Sequence, residues 1–338
     1  MANRTEIKEM LTSCGAEQQT LFDKAASLRN QFFGKTVILR GVIEVTNICR
    51  VDCNYCPMRR TNTKNNYSFF ASVEDILLSA QAVKRSGINV ILLQGGETLG
   101  IIKTIEAAIP KILDLYDGKV EILLNLGCFS RSVYKRLKKL GAISYILKHE
   151  TSDSILHKKI RHEALDQRLG SLLDLSELGF KTGTGLISSL PKQTLESIID
   201  DIELVEKFEV DMCSVSPFIP AKNTPMSGYP QGDINLALNI VACLRVLYPK
   251  ILIPSVSAFE KIAKGGQKKG LEAGGNVLTI NFSPAHVKKD YLIYGNERYV
   301  VNRNHVLSTL NQLGLSPRGS IFLDPNEIEQ YRSMLPTG

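Results

Sequence analysis

Apolar runs of strand length alternate with amphipathic stretches of helix length along almost the whole chain, and this alternation restricts the fold more than any other feature. The strand-length runs are VILRGVIEV (37–45), INVILLQGG (88–96), VEILLNLG (120–127), ISYILKHE (143–150), KTGTGLISSL (181–190), DMCSVSPFI (211–219), KILIPSVSAF (250–259) and NVLTINFSP (276–284). Helical spacing fills the intervals at 72–87, 101–116, 130–140, 166–178, 194–210, 234–248, 266–273 and 304–314. Ser72 with Asp75 reads as a capping box, and Gly87 as the matching stop. Strict alternation of this kind builds a parallel sheet. Near-continuous apolar runs fit strands covered on both faces. Eight units permit an α/β fold closed as a (βα)8 TIM-type barrel, for which about 250 residues suffice. An open doubly-wound sheet is the alternative. It would carry a glycine-rich phosphate fingerprint after its first strand, and cysteines stand there instead. Residues 1–36 read as an N-terminal helical extension beside or under the barrel, 37–320 as the barrel, and 321–338 as a C-terminal tail, in one domain.

The composition agrees. Of 338 residues, 43% are hydrophobic and 22% charged, which excludes disorder and allows a large core without staples. No apolar run reaches the ~18 residues of a spanning helix, so no membrane association is expected. The opening MANRTEIKEMLTSCG lacks an apolar signal core, which points to the cytoplasm. Lys and Arg outnumber Asp and Glu by 41 to 34. That mild excess, without a basic stripe, argues against nucleic acid as a partner. The densest basic run, LHKKIRHEALDQR at 156–168, is interrupted by acids. It reads as a solvated face, or as part of an anion pocket if its residues face a site.

Seven cysteines are present, an odd number in a chain with a cytosolic character, so a disulfide framework is not expected. Three of them, Cys49, Cys53 and Cys56, follow the first strand with spacing C-x3-C-x2-C. Barrel enzymes place their chemistry at that end of a strand. A structural zinc site would need a fourth ligand, and no second close pair supplies it. A [4Fe–4S] cube normally takes four thiolates, so three leave one iron open to a small molecule. That open position argues against a plain iron–sulfur carrier protein.

C-x3-C-x2-C with Tyr55 before the third cysteine resembles the radical S-adenosylmethionine (radical SAM) superfamily. The resemblance implies one [4Fe–4S] cluster and SAM as cofactors. It further implies a 5′-deoxyadenosyl radical made by one-electron cleavage of SAM, an enzyme acting on a small-molecule substrate, and an electron donor such as flavodoxin or ferredoxin. QGGET at 94–98 looks like the glycine-rich segment of that superfamily, which makes Gln94, Gly95, Gly96 and Glu97 cofactor-binding candidates. The wider match is to the biotin synthase-like branch, most of all to [FeFe]-hydrogenase maturases of the HydE type and then to 3-methylornithine synthases. It is carried by IEVTNICRVDCNYCPMRR, VILLQGGE, YILKHETSDSILHKKIR, LGFKTGTGLISSLPKQT and SPFIPAKNTP. By position, Glu150 and Arg168 correspond to SAM contacts of this branch. Arg59, Arg60, Lys148 and Ser257 are candidates for the substrate side. The resemblance implies maturation of a hydrogenase cofactor, or else a carbon-skeleton rearrangement of an amino acid. Sulfur insertion fits less well, because Leu123 and Gly183 stand where biotin synthase has ligands of its auxiliary cluster. Cys14, Cys128, Cys213 and Cys243 are scattered, and only Cys128 and Cys213 could share a cavity.

Overall fold

The computed structural model describes residues 3–62, 67–295 and 297–323. Seven parallel strands form one curled sheet: β1 (Thr36–Thr46), β2 (Val90–Gly95), β3 (Glu121–Asn125), β4 (Ser144–Ile146), β5 (Lys181–Ser188), β6 (Met212–Pro217) and β7 (Val277–Asn281), in the order β6-β5-β4-β3-β2-β1-β7. The gap between β6 and β7 is filled by 251–255. The Cys213 N–H donates to Leu252 O and the Asn276 N–H to Ile253 O, both at 2.9 Å. Single bridges join Leu252 to Met212 and Pro254 to Val277. The eighth position of the barrel is therefore occupied, but by bridges in place of the full strand expected at 250–259. Pro254 has no N–H to give a ladder. The expected strand also ends early, because 257–262 is helical.

The helices on the outside are α1 (Arg4–Thr12), α2 (Gly15–Phe33), α3 (Val73–Arg85), α4 (Ile102–Leu115), α5 (Arg131–Lys139), α6 (Ser154–Arg161), α7 (Leu165–Glu177), α8 (Leu195–Lys207), α9 (Ile234–Leu247), α10 (Ser257–Ile262), α11 (Gly266–Glu272), α12 (Ala285–Lys288) and α13 (Arg303–Leu313). The Ser72–Asp75 capping box forms in both directions at 3.1 Å. The N-terminal extension is helical as anticipated; α1 and α2 pack beside the barrel on α9. A short β8 (Ser316–Arg318), not anticipated, pairs with the start of β1. It continues the barrel floor, where the Ser144 hydroxyl donates to Glu121 at 2.6 Å and Ser320 donates to the same carboxylate. Of the tail 321–338, residues from 324 on lie outside the described residues.

Strand alternation sorts β1 into two sets. Val37, Leu39, Ile43 and Val45 join the core under the helices, whereas Ile38 and Val42 join a smaller cluster inside the barrel with Val90, Leu92, Leu123 and Ile146. Arg40 and Glu44 share the inward parity and are almost wholly buried. Polar side chains inside a barrel otherwise packed with aliphatics mark a cavity, and two adjoining cavities occupy its upper half.

Candidate active site

The loop that leaves β1 is stitched to its surroundings along its length. The Arg50 N–H donates to Glu97 O at 2.8 Å, Asn54 N–H to Ile160 O at 2.7 Å, and Arg60 N–H to Val51 O at 3.0 Å. Cys49, Cys53 and Cys56 all line one cavity at the C-terminal end of the strands. Burial pushes each of these thiols up, so a thiolate there needs a cation beside it. Among the described residues no three His, Cys, Asp or Glu side chains converge on a single-ion site. A cube makes no such demand, because each thiolate binds a different iron. Three soft donors, desolvated and on one wall, fit such a cluster.

Gly95 and Gly96 line the same cavity. A Cβ on Gly96 would lie 2.2 Å from Ile48 O, so only glycine lets β2 approach the start of the cysteine loop. Gly127, at φ +93°, leaves space that the Glu97 carboxylate fills; a Cβ there would lie 2.2 Å from Glu97 Oε2. Glu97 is paired with Arg50 and stands 3.6 Å from Arg168. Gln94 accepts from Asn125 Nδ2 at 3.4 Å. Glu150 adopts φ +67°, a left-handed conformation uncommon outside glycine. Its backbone is fixed from both sides by Gly185 O and the Ile187 N–H at 2.9 Å. Arg168 donates to Lys148 O, and Lys148 itself lines both cavities.

The cavity therefore gathers the three cysteines with Tyr55, Gln94, Gly95, Gly96, Glu97, Lys148, Glu150 and Arg168. It does not gather Arg59 and Arg60. Arg59 forks onto Asp52 at 2.6 and 2.8 Å, and Arg60 is exposed; neither lines either cavity. Of the residues after Cys56, Pro57 and Met58 line the cavity, while Arg59 is held against Asp52 and Arg60 faces solvent. Ser257 stands at the first residue of α10 and lines the second cavity, not within a strand. Cys213 and Cys243 are fully buried in the core under the helices; Cys128 meets Arg168 Nη1 at 3.3 Å but, like Cys213, lines neither of the two cavities.

Three features escaped the sequence reading. Arg161 lines the first cavity. Arg50 bridges Glu97 and Glu163. The stretch after β7 brings Tyr291, Ile293 and Tyr294 into the lining of the first cavity, with Tyr294 bonded to Ser216 at 3.1 Å. It is anchored by Arg298, which forks onto buried Glu44. The basic run gave a signal for Arg161 alone. It resolves by helix geometry: Arg161 and Arg168 face inward, while Lys158 and Lys159 are exposed.

His157, on the inner side of α6, is fully buried and its Nε2 has no partner; burial pushes its pKa down to about 4. The native ring stays neutral while the unfolded chain gains a proton below about pH 6.5. Stability contributed by the neutral ring is thus complete above that pH and falls between about 6.5 and 4, by on the order of 3 kcal/mol. Urea midpoints at pH 7 and 4.5 should converge in His157→Gln relative to the unsubstituted protein.

The sequence profile of the Radical SAM superfamily matches residues 43–205, from the end of β1 through the cysteine loop and β2–β5 into α8. The [FeFe] hydrogenase maturase subunit HydE of Thermotoga maritima is 33% identical over 88% of this chain and 87% of its own. The chain belongs to the radical SAM superfamily and is an enzyme of that group. Within it, HydE is a relative along almost the full length of both proteins. The 3-methylornithine synthase of Methanosarcina acetivorans is 26% identical over 78% of this chain and 74% of its own. The fold is shared with the crystal structure of methylornithine synthase PylB, at TM-score 0.83 and 20% identity over 97% of this chain and 96% of that one. No helix among the described residues is long and apolar enough to cross a membrane.

Proposed function

We propose that this protein is a HydE-like radical SAM enzyme that acts on a small, anionic molecule during assembly of the [FeFe]-hydrogenase cofactor. The observation that carries this reading is the convergence of Cys49, Cys53 and Cys56 with Glu97, Glu150 and Arg168 in one cavity, in a chain one-third identical to HydE. The three cysteines would hold a [4Fe–4S] cluster, and Gly95, Gly96, Glu97, Glu150 and Arg168 would hold SAM. When bound, these groups supply one-electron cleavage of a carbon–sulfur bond and thereby a 5′-deoxyadenosyl radical. The chain's own side chains do the rest. Arg168 offers a guanidinium fork suited to a carboxylate. The Glu97 and Glu150 carboxylates accept from ammonium or hydroxyl groups. Tyr291, Ile293 and Tyr294 screen the cavity from water, and Lys148 and Ser257 line the adjoining space for a substrate. A flavodoxin or ferredoxin supplies the electron. One cluster per chain is supported by the placement of Cys14, Cys128, Cys213 and Cys243 outside both cavities, with Cys14 exposed and Cys213 and Cys243 in the core. Without a second cluster, sulfur insertion has no donor.

Anaerobically reconstituted and reduced protein should release 5′-deoxyadenosine from SAM, and should restore hydrogenase activation to a maturation mixture lacking HydE. SAM cleavage without restoration would move the substrate to another small-molecule radical reaction, such as a carbon-skeleton rearrangement. No cleavage would overturn the proposal. Arg168→Ala should weaken SAM binding roughly ten- to a hundred-fold, the loss of one charged fork at about 1.5–3 kcal/mol, as read by calorimetric titration. Unchanged affinity with a lower melting temperature would assign Arg168 to the Glu97 contact alone.

A further inference from the structure

The inner face of α6 holds a charge that the proposed chemistry has not yet used. Arg161 is 5% exposed and lines the cavity together with all three loop cysteines. Its Nη1 donates to the Tyr55 hydroxyl at 3.1 Å and stands 3.8 Å from Glu150; its Nη2 meets Glu163 at 3.1 Å. Glu163 is shared with Arg50, and Glu150 is too distant from Arg161 for a direct hydrogen bond. The buried Nε has no hydrogen-bond partner. Among the other cations near the loop, Arg59 is paired with Asp52 and Arg50 with Glu97 and Glu163, and Arg168 is the one assigned above to SAM. A buried guanidinium with a donor unused and one of its two carboxylates shared is costly unless further negative charge stands beside it. Three thiolates are such a charge.

We infer that Arg161 is a fixed positive charge that raises the reduction potential of the cluster held by Cys49, Cys53 and Cys56. This rests on the cluster assignment made above. A [4Fe–4S] core with three thiolates is already anionic, and taking up one electron adds a further negative charge. A neighbouring cation stabilises the more negative form more strongly, and poorly screened surroundings enlarge the difference. Arg161 therefore favours electron uptake. Tyr55 and Glu163 keep the guanidinium in place, which explains an aromatic hydroxyl and a shared acid at these positions.

The test uses full-length reconstituted protein, with iron content, melting temperature and an anaerobic redox titration of the reduced-cluster paramagnetic resonance signal as readouts. Arg161→Met should bind as much iron as the unsubstituted chain. Its midpoint should move negative, so that at a fixed ambient potential at least tenfold less cluster is reduced, which is about 59 mV for a one-electron couple. Arg161→Lys should restore most of the shift. Glu163→Gln, which releases Arg161 from its shared acid, should move the midpoint the opposite way, and it carries the test if Arg161→Met takes up no iron. A merely structural ion pair would lower the melting temperature of the variants and leave every midpoint unchanged; that result would overturn the inference. An unsubstituted protein that takes up no iron would instead overturn the cluster assignment, and the inference with it.

Discussion

Replacing Cys49, Cys53 and Cys56 together by alanine should remove all iron from reconstituted protein, which otherwise should hold about four irons per chain. Thiolates are the ligands that iron–sulfur clusters select, and the three stand on one wall of one cavity. The fold should survive the change. The loop is held by backbone N–H bonds of Arg50, Asn54 and Arg60 to the carbonyls of Glu97, Ile160 and Val51, and the variant loses the long Glu97 N–H contact to Cys49 Sγ at 3.4 Å. SAM cleavage should fall to background, while circular dichroism stays native. Residual iron in the triple variant, or about eight irons in the parent, would show that the other four cysteines make a cluster, and would reopen sulfur insertion.

The second large effect concerns stability. Glu44 and Arg298 are 2% and 8% exposed and fork onto each other, with one bond of 2.8 Å. Arg298 also donates to Lys288 O at 2.7 Å. Removing one partner of a buried pair leaves an uncompensated charge and costs about 3–5 kcal/mol. Glu44→Gln should therefore lower the denaturant midpoint markedly, whereas the double variant Glu44→Leu, Arg298→Met should recover much of the loss. Because Arg298 anchors the stretch bearing Tyr291 and Tyr294, the single variant should also admit water to the cavity and uncouple SAM cleavage from product formation. Equal stability of the single variant and the parent would refute the anchoring role.

The barrel was legible because its strands are long apolar runs covered on both faces, and because its helices announce their starts, as at Ser72 and Asp75. The cysteines were legible because three reactive groups sit within eight residues. What stayed hidden depends on distance in the chain. Arg161 meets Tyr55 across more than a hundred residues, and Arg298 meets Glu44 across more than two hundred; periodicity carries no information about such pairs. Sequence proximity could not place Arg59 and Arg60 either: Arg59 is paired with Asp52 and Arg60 is exposed, whereas Pro57 and Met58 beside them line the cavity. The strand expected at 250–259 was visible as an apolar run, but Pro254 limits it to bridges, and the run's last residues turn into α10.

The position of β1 has a consequence for how the protein comes into being. β1 pairs with β2 on one side, but on the other Ile38 pairs with Val277, from near the opposite end of the chain. Such non-local closure is slow, and it cannot precede synthesis of the C-terminal strands. The loop carrying Cys49, Cys53 and Cys56 is thus complete in the chain more than two hundred residues before β7, and the cavity around it closes only once Tyr291 and its neighbours, which line the same cavity, have been made.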